Sequence, residues 1–192
     1  TLLPHPPMSG GMAGKIQSIS DLFEHELKDI YDAEKKLVDA LTRLVNESTD
    51  PEVRQAFESH REETRVHAER VEKVFEMLNK EATRGEGCAG ITGLLEEKKS
   101  FSQHEPSREI LQVFNLGAAA KTERYEITAY EGLVLLARQL QLEDAAQLLE
   151  TTLQEEKAAL EKVLGFQNEP ARTGTGKGTA AGKSAGERPV NR

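Results

Sequence analysis

Residues 20–52 read SDLFEHELKDIYDAEKKLVDALTRLVNESTDPE, and the spacing of the apolar residues in this stretch decides the fold. Apolar side chains recur at alternating intervals of three and four, at Phe23, Leu27, Ile30, Leu37, Leu41 and Leu44, with position 34 falling in the same stripe between Ile30 and Leu37. This period is typical of an amphipathic helix. Ser20 is a suitable N-cap, and Asp21 and Glu24 place acidic groups in the first turn. The pattern therefore predicts a helix from Ser20 to about Glu47.

The end of the same stretch predicts a turn followed by a second helix. Asp50 can cap that helix, and Pro51 suits its first position because proline lacks the N–H that would be unpaired there. A second apolar stripe then follows as far as about Lys80, formed by Val53, Phe57, Val71, Val74 and Leu78. A turn this short predicts two antiparallel helices.

Residues 81–106 interrupt the helical period. Glycines crowd the first half and Pro106 closes the second, with a short helix expected between Ile91 and Phe101. A third helix is predicted to start near Ser107. A single helix from there to residue 164 would be about 87 Å long, too long for a compact domain.

The remaining chain is therefore predicted to form two helices, with a break near Gln141 and an end at Gly165. Two hairpins joined by a 26-residue linker (81–106) indicate an all-α, ferritin-like four-helix bundle, because an up-down bundle with short loops would not need such a linker. The expected domains are a disordered N-terminal segment (1–18), the bundle (19–166) and a disordered basic Gly/Ala/Lys tail (167–192).

Composition and charge limit the functions open to the chain. Its 192 residues carry a formal charge of −8, and residues 171–192 contribute +4 through five basic residues and one acidic residue, which leaves −12 on residues 1–170. Because residues 1–170 are this acidic, we do not expect the folded domain to bind a nucleic-acid backbone. The basic tail is interpreted as a solubilising segment, with contact to an anionic partner as the alternative.

No membrane or secretory segment is expected. No run of residues approaches the ~18 uncharged apolar residues of a membrane span, and the N-terminus lacks a continuous apolar signal region. The single cysteine, Cys88, excludes an internal disulfide and fits a reducing compartment. A soluble cytoplasmic protein is expected.

Polar residues interrupt the predicted core stripe of every bundle helix, at Glu34; His60, Glu63 and His67; Glu123 and Glu126; and Glu156. One glutamate near a stripe is ordinary, because its long stem can reach water. Acids in all four stripes are harder to explain in that way. Partners equidistant from a turn lie at the same depth, so Glu34 is expected to meet Glu63, and Glu126 to meet Glu156.

Buried carboxylates packed together repel one another and lose hydration, so unbound they must take up protons. Divalent metal ions remove the conflict, and carboxylates with imidazole suit iron or manganese. Glutamates on facing helices can hold two ions about 3.5–4 Å apart. The sequence therefore predicts a dinuclear metal site, with a mononuclear or vestigial site as the alternative.

Several segments together resemble the YciE/YciF family of ferritin-like bacterial stress proteins. They are DIYDAE (29–34), HREET (60–64), GLLE (93–96), ERYEI (123–127) with Tyr130, and LQEE (153–156). The resemblance implies a homodimeric ferritin-like bundle with a candidate di-iron site. Its metal-site positions match Glu34, His60, Glu63, Glu126 and Glu156, with Glu123 as an addition.

The sequence departs from the expected metal-site pattern at two positions, His67 and Ala159. His67 stands where the family pattern has glutamine, so either His60 or His67 could supply the nitrogen ligand. Ala159 follows Glu156 at the interval where ferritin-like helices often carry a second histidine. Three tyrosines, Tyr31, Tyr125 and Tyr130, are expected to fill the core and bond carboxylates through their hydroxyls.

The favoured interpretation is a di-iron protein, with two irons per chain and manganese as the alternative metal, that reacts with oxygen or peroxide in bacterial stress defence. Its class would be an oxidase or peroxidase type of oxidoreductase. The competing hypothesis is a non-catalytic assembly or binding module with a vestigial metal site. Mineral storage in a ferritin cage is a third, weaker one.

Overall fold

A computed structural model describes residues 15–168, and all of its regular structure is helical. The five helices are α1 (Ile19–Glu47), α2 (Pro51–Met77), α3 (Ala89–Ser102), α4 (Arg108–Gln139) and α5 (Glu143–Asn168). The prediction of an all-α bundle of two hairpins, with a short helix in the crossover, is confirmed. Apart from residues 15–18 and 167–168, the two segments expected to be disordered lie outside the described residues.

The first helix begins earlier than predicted, because Ser18 rather than Ser20 is its N-cap. The Ser18 hydroxyl accepts the backbone N–H of Asp21 at 3.0 Å, and the Asp21 carboxylate accepts the backbone N–H of Ser18 at 3.0 Å. Such a reciprocal box needs a polar side chain three residues after the cap. Three residues after Ser20 stands Phe23, which cannot reciprocate.

The two tight turns are stabilised differently. Asp50 caps α2 by accepting the N–H of Glu52 at 2.8 Å, with Pro51 in the first turn as predicted. The predicted break near Gln141 is confirmed, and Gln141 itself has a positive φ of 59°. The turn closes when the N–H of Leu142 donates to the carbonyl of Ala137 at 2.9 Å, so no glycine is required there.

Helix α5 continues past Gly165 to Asn168, where the sequence had predicted an end at Gly165. A glycine inside a helix costs only about 1 kcal/mol relative to alanine. Phe166 packs against the apolar cluster that includes Val163, which compensates for that cost.

Each bundle helix packs against two others, in the cyclic order α1, α2, α5, α4. The crossover helix α3 lies against α4 and α1. It is anchored by Asp32, which is buried and accepts the backbone N–H of Cys88 at 2.7 Å while it pairs with Lys36 at 2.5 Å. None of the helices within residues 15–168 is long and apolar enough to cross a membrane.

The apolar core is divided into two clusters. One is centred on Phe23, Leu27, Phe75 and Leu149, and the other on Leu44, Phe57 and Val163. Along α2, α4 and α5, the residues between the two clusters include buried histidines and glutamates. This polar layer positions the site.

Candidate metal centre

Six ionisable side chains from all four bundle helices are buried in the polar layer. They are Glu34 from α1, His60 and His67 from α2, Glu123 and Glu126 from α4, and Glu156 from α5. None is more than 9% exposed. Four carboxyl groups at this depth cannot be treated as a solvated helix face.

Two groups of three side chains place their ligand atoms within 4.8 Å of one another: Glu34 with His67 and Glu156, and His60 with Glu123 and Glu156. Glu156 belongs to both groups. Its Oε1 lies 2.7 Å from Nδ1 of His67, and its Oε2 lies 3.8 Å from Nε2 of His60. The carboxylate of Glu156 therefore spans two neighbouring sites.

Other distances within the groups are similar. The Nε2 atom of His60 lies 3.2 Å from Oε1 of Glu123, and Nδ1 of His67 lies 3.8 Å from Oε1 of Glu34. An octahedral cation that holds its ligands at 2.0–2.1 Å separates adjacent ligand atoms by about 3 Å. The atoms are thus spaced as ligands of a shared ion could be.

Unpartnered polar atoms concentrate in the same place. Among the described residues, six of the seven buried side-chain atoms without a hydrogen-bond partner belong to this cluster: Glu34 Oε2, His67 Nδ1, Glu123 Oε2, Glu126 Oε1 and both carboxylate oxygens of Glu156. The close approach of His67 Nδ1 to Glu156 Oε1 does not have the geometry of a hydrogen bond. A buried polar atom without a partner costs about 1–3 kcal/mol, so the cluster is poorly satisfied by protein groups alone.

Each histidine turns one nitrogen inward and the other toward an outer carboxylate. Nε2 of His67 lies 2.9 Å from Glu155, whose carboxylate is also bound by the Arg70 guanidinium. Nδ1 of His60 lies 3.4 Å from Glu63. Outer carboxylates of this kind fix the orientation and tautomer of metal-binding imidazoles.

Two predicted ligands lie outside both ligand groups: Glu126, which is buried in the same layer, and Glu63, which is turned away from the cluster. The Glu63 side chain is 48% exposed and contacts the outer nitrogen of His60. At about 100° per residue, His60 and His67 project in nearly the same direction from α2, whereas Glu63 points some 40–60° to one side. Equal distance from the turn sets depth but not direction, so Glu34 faces His67 instead.

Glu155 is the residue that sequence reasoning missed. It lies about 100° around α5 from the buried Glu156, so the apolar period marks it as a surface acid. Only its contacts with His67 and Arg70, both on α2, indicate its role.

Burial and mutual repulsion control the protonation of the acids. Burial raises the pKa of Glu34 to about 8 and that of Glu123 to about 7. Burial, followed by repulsion from Glu156, raises the pKa of Glu126 well above its usual value. Burial also opposes ionisation of Glu156, but the neighbouring His67 and His60 outweigh it and lower the Glu156 pKa.

Burial alone would lower the pKa of the histidines, which is opposite to its effect on the acids. Burial would lower the pKa of His60, but the charge of Glu123 outweighs it and raises the pKa well above its usual value. The pKa of His67 is likewise raised, because Glu156 and Glu34 outweigh burial. Without a metal, the cluster reduces its net charge by holding protons.

The tyrosine hydroxyls bond carboxylates, as predicted, but only Tyr130 fills the core, whereas Tyr31 and Tyr125 are half-buried at its edge. Tyr130 is fully buried and bonds to Glu34 inside the cluster, while Tyr31 donates to Glu72 at 2.6 Å and Tyr125 to Asp29 at 3.1 Å. Cys88 is buried, and burial raises the pKa of its thiol. A buried thiol with a raised pKa carries little thiolate, so Cys88 is a weak nucleophile.

The chain is similar in sequence to a known family and to a known protein. Residues 18–174 match the family model described as a domain of unknown function, DUF892. The chain is 38% identical to the protein YciF of Escherichia coli K12 over 143 residues, which cover 74% of this chain and 86% of YciF.

Solved structures of similar proteins have the same fold. The crystal structure of the E. coli stress protein YciF matches with a TM-score of 0.75 and 37% identity, covering 79% of this chain and 96% of that one. YcfI of Rhodopseudomonas palustris matches with a TM-score of 0.75 and 33% identity, covering 82% of this chain and 97% of that one. A Xanthomonas campestris protein, at 22% identity and a TM-score of 0.63, shares the fold. With a family model matched over most of its length, the chain belongs to the DUF892 family, and at 38% identity it is a relative of E. coli YciF.

Proposed function

We propose that this protein is a ferritin-like di-metal protein, with iron as its resident metal, that reacts with oxygen or peroxide in bacterial stress defence. The single observation that carries the proposal is the position of Glu156, whose two carboxylate oxygens face different histidines in two adjoining ligand groups. A carboxylate in that position suits a bridge between two ions.

The charges of the donor set fit two divalent ions. Four ionised carboxylates carry −4, which two divalent cations balance while both imidazoles remain neutral. The unpartnered oxygens of Glu34, Glu123 and Glu156, which belong to the two ligand groups, would then gain partners. A donor set of carboxylates and imidazoles, without thiolate, favours iron or manganese.

Different residues would hold each of the two ions. Glu34 and His67 would hold one ion, His60 and Glu123 the other, and Glu156 both, with Glu126 close by in the same layer. When bound, a pair of irons supplies electrons to an oxidant. The chain's own residues keep the site buried, orient both imidazoles through Glu155 and Glu63, and hold Glu34 through the Tyr130 hydroxyl.

The proposed role in stress defence is supported by the similarity of this chain to E. coli YciF. E. coli YciF is described as a stress protein, and the similarity to it covers most of both chains. We also infer a homodimer from the same family resemblance, which light scattering on the full chain would test.

Elemental analysis paired with optical spectroscopy tests the function. Metal-free protein is loaded anaerobically with ferrous iron, desalted, analysed, and then exposed separately to oxygen and to peroxide. The expected result is close to two irons per chain and a ferric absorption band that develops with either oxidant. Less than one iron per chain, or no spectral change, would contradict the proposal.

A second candidate, a non-catalytic bundle with a vestigial site, is favoured by Ala159, which leaves α5 without a histidine three residues after Glu156. The double variant Glu34→Gln with Glu126→Gln separates the two. Both candidates predict a more stable metal-free bundle at neutral pH, because glutamine can be buried without the proton uptake that the raised pKa values of Glu34 and Glu126 impose on folding. Only the di-metal candidate predicts that iron uptake and oxidant turnover are lost.

A further inference from the structure

The crossover helix α3 is the least buried of the five described helices. Of its 14 residues only Ile91 is buried, whereas each of the four bundle helices buries between seven and ten residues. Segments with few buried contacts open locally at a lower free energy than the core of a protein. Among the helices within residues 15–168, α3 is therefore the one that can leave its place most easily.

The start of α3 is fixed to the bundle. The backbone N–H of Cys88 donates to the buried carboxylate of Asp32 at 2.7 Å. Ile91 is fully buried, and Gly90 lies so close to Tyr125 that a Cβ atom there would overlap its ring. This end of the helix can serve as a pivot but not as the moving part.

The second half of α3, residues 94–102, is held by contacts near the surface. None of its side chains is buried. The Lys98 ammonium donates to both carboxylate oxygens of Glu47, at 2.8 and 2.7 Å, and Phe101 stacks on Phe114 with the ring centroids 3.8 Å apart. Four of the five residues that follow, 103–107, are exposed, which leaves slack between this half of α3 and the start of α4.

This half of α3 also covers buried ligand candidates. Leu94, Leu95 and Lys98 line a cavity between α1, α3 and α4, and three of the six buried ionisable residues of the polar layer line it as well: His60, Glu123 and Glu126. Of those six, only His60 lines the groove between α2 and α5. The cavity beneath α3 therefore reaches more of the candidate metal centre than the groove does.

A metal ion needs some part of the protein to move before it can reach this centre, because none of the six residues is more than 9% exposed. Separation of α2 from α5 would open the core, since these helices bury nine and seven residues. Displacement of residues 94–102 would uncover the cavity without exposing any buried side chain of that segment.

We infer that residues 94–102 form a lid, which swings outward about the fixed start of α3 and admits metal ions to the buried centre. The inference rests on the proposed function, since it supplies the route by which the metal arrives. Glu126 lines the cavity but belongs to neither ligand group. It would meet the entering ion together with Glu123, before the ion reaches its final ligands.

Hydrogen exchange of the metal-free, full-length chain tests whether the lid opens. The amides of residues 94–102 should exchange about 100-fold faster or more than those of residues 116–126 in α4, because a lid exchanges by local opening and the core by global unfolding. Similar protection of the two segments would overturn the inference. Because no metal is present, this readout does not depend on whether the chain binds iron.

Two variants loosen the lid in chemically different ways. Lys98→Met removes the ion pair with Glu47, and Phe101→Ala removes the ring stack without a change of charge. Each should raise both the exchange rate of residues 94–102 and the rate of ferrous iron uptake about threefold or more. The final iron content should stay at about two per chain. Uptake is followed anaerobically, by trapping unbound iron with a chelator at successive times.

Phe166→Ala is the matched control, because Phe166 is a half-buried phenylalanine that lines the groove between α2 and α5. Its uptake rate should stay within about 1.5-fold of the parent's, since the lid is unchanged. Faster uptake in Phe166→Ala alone would assign metal entry to the groove. Faster uptake in Lys98→Met alone would reflect only the loss of a positive charge at the entrance. Either result would overturn the lid.

The same measurements keep the lid and the proposed function apart. A normal iron content, with uptake rates that do not respond to Lys98→Met or Phe101→Ala, would refute the lid and leave the proposed function standing. A parent chain that binds no iron would refute the proposed function, whatever the exchange rate of residues 94–102.

Discussion

At the scale of single residues, the account depends on Glu156 more than on any other side chain. It is fully buried, both of its oxygens lack hydrogen-bond partners, and it belongs to both ligand groups. A structural role alone would favour an amide or an apolar residue at this position, because an ionised carboxylate in the core is costly.

Substitution of Glu156 should therefore separate metal binding from folding. Glu156→Gln removes one ligand from each group, and we expect iron uptake to fall from about two ions per chain to less than one. The metal-free variant should still fold but be less stable than the parent, because His67 and His60 lose the buried carboxylate that pairs with them. Iron titration and thermal unfolding measure the two effects, and Glu161→Gln, at an exposed position of the same helix, is the control. Unchanged iron uptake in Glu156→Gln would contradict the assignment.

Glu155 should influence the metal through His67. Glu155→Gln weakens the acceptor for Nε2–H of His67, which loosens the imidazole and its tautomer. Loss of such an outer partner costs roughly 10–100-fold in metal affinity. Competition with a metal chelator measures the affinity, and the exposed Glu161→Gln again serves as the matched control. An affinity within twofold of the parent would show that Glu155 forms only a surface ion pair with Arg70.

At the scale of elements, the crossover helix is held by close packing as well as by the Asp32 anchor. A Cβ atom added at Gly90 would lie 2.4 Å from Cε2 of Tyr125. The Tyr125 ring cannot easily move, because its hydroxyl contacts Asp29 and Cys88. The same addition at Gly93, in the same helix, would meet nothing within 4 Å.

Alanine at these two positions should therefore change the stability of the protein in opposite directions. Gly90→Ala is expected to destabilise the protein by about 1–3 kcal/mol through overpacking. Gly93→Ala should be neutral or stabilise it by up to about 1 kcal/mol, because alanine favours the helix. Denaturant unfolding of both variants measures the difference. Equal effects would show that α3 is not docked against Tyr125 as described.

Helix positions could be predicted from sequence because the apolar period and the Pro, Asp and Ser start signals are local. The N-cap at Ser18 and the end of α5 depended on a reciprocal side-chain bond and on packing of Phe166, which periodicity does not encode. The buried ligand candidates Glu34, His60, His67, Glu123, Glu126 and Glu156 could be found as polar interruptions of apolar stripes. The outward direction of Glu63 and the contact of Glu155 with His67 required the relative rotation of helices, which a one-dimensional pattern does not fix.

At the scale of the whole molecule, the buried cluster should make stability depend on pH. Between about pH 5 and 8 the native protein keeps protons on Glu34 and Glu123, whose pKa values are raised to about 8 and 7, while the unfolded chain has released them. His60 and His67, with raised pKa values, also hold protons longer in the native state. The native state thus binds more protons, and a rise in pH favours unfolding.

We expect the melting temperature of the metal-free protein to fall by about 5 °C or more from pH 5 to pH 8, given roughly 2–4 °C per kcal/mol at this size. Iron binding requires deprotonated ligands, so loading should reverse the trend. The double variant Glu34→Gln with Glu123→Gln should flatten the profile of the metal-free protein. A metal-free profile that rises with pH over this window would contradict the protonation scheme.

The central claim is that acids and imidazoles from four helices converge to hold two metal ions, and anomalous X-ray diffraction from iron-loaded crystals tests it most directly. Maps collected above and below the iron edge are predicted to show two peaks about 3.5–4 Å apart, one beside Glu34 and His67, the other beside His60 and Glu123, with Glu156 between them. No iron peak in the polar layer, or peaks confined to surface carboxylates, would contradict the account.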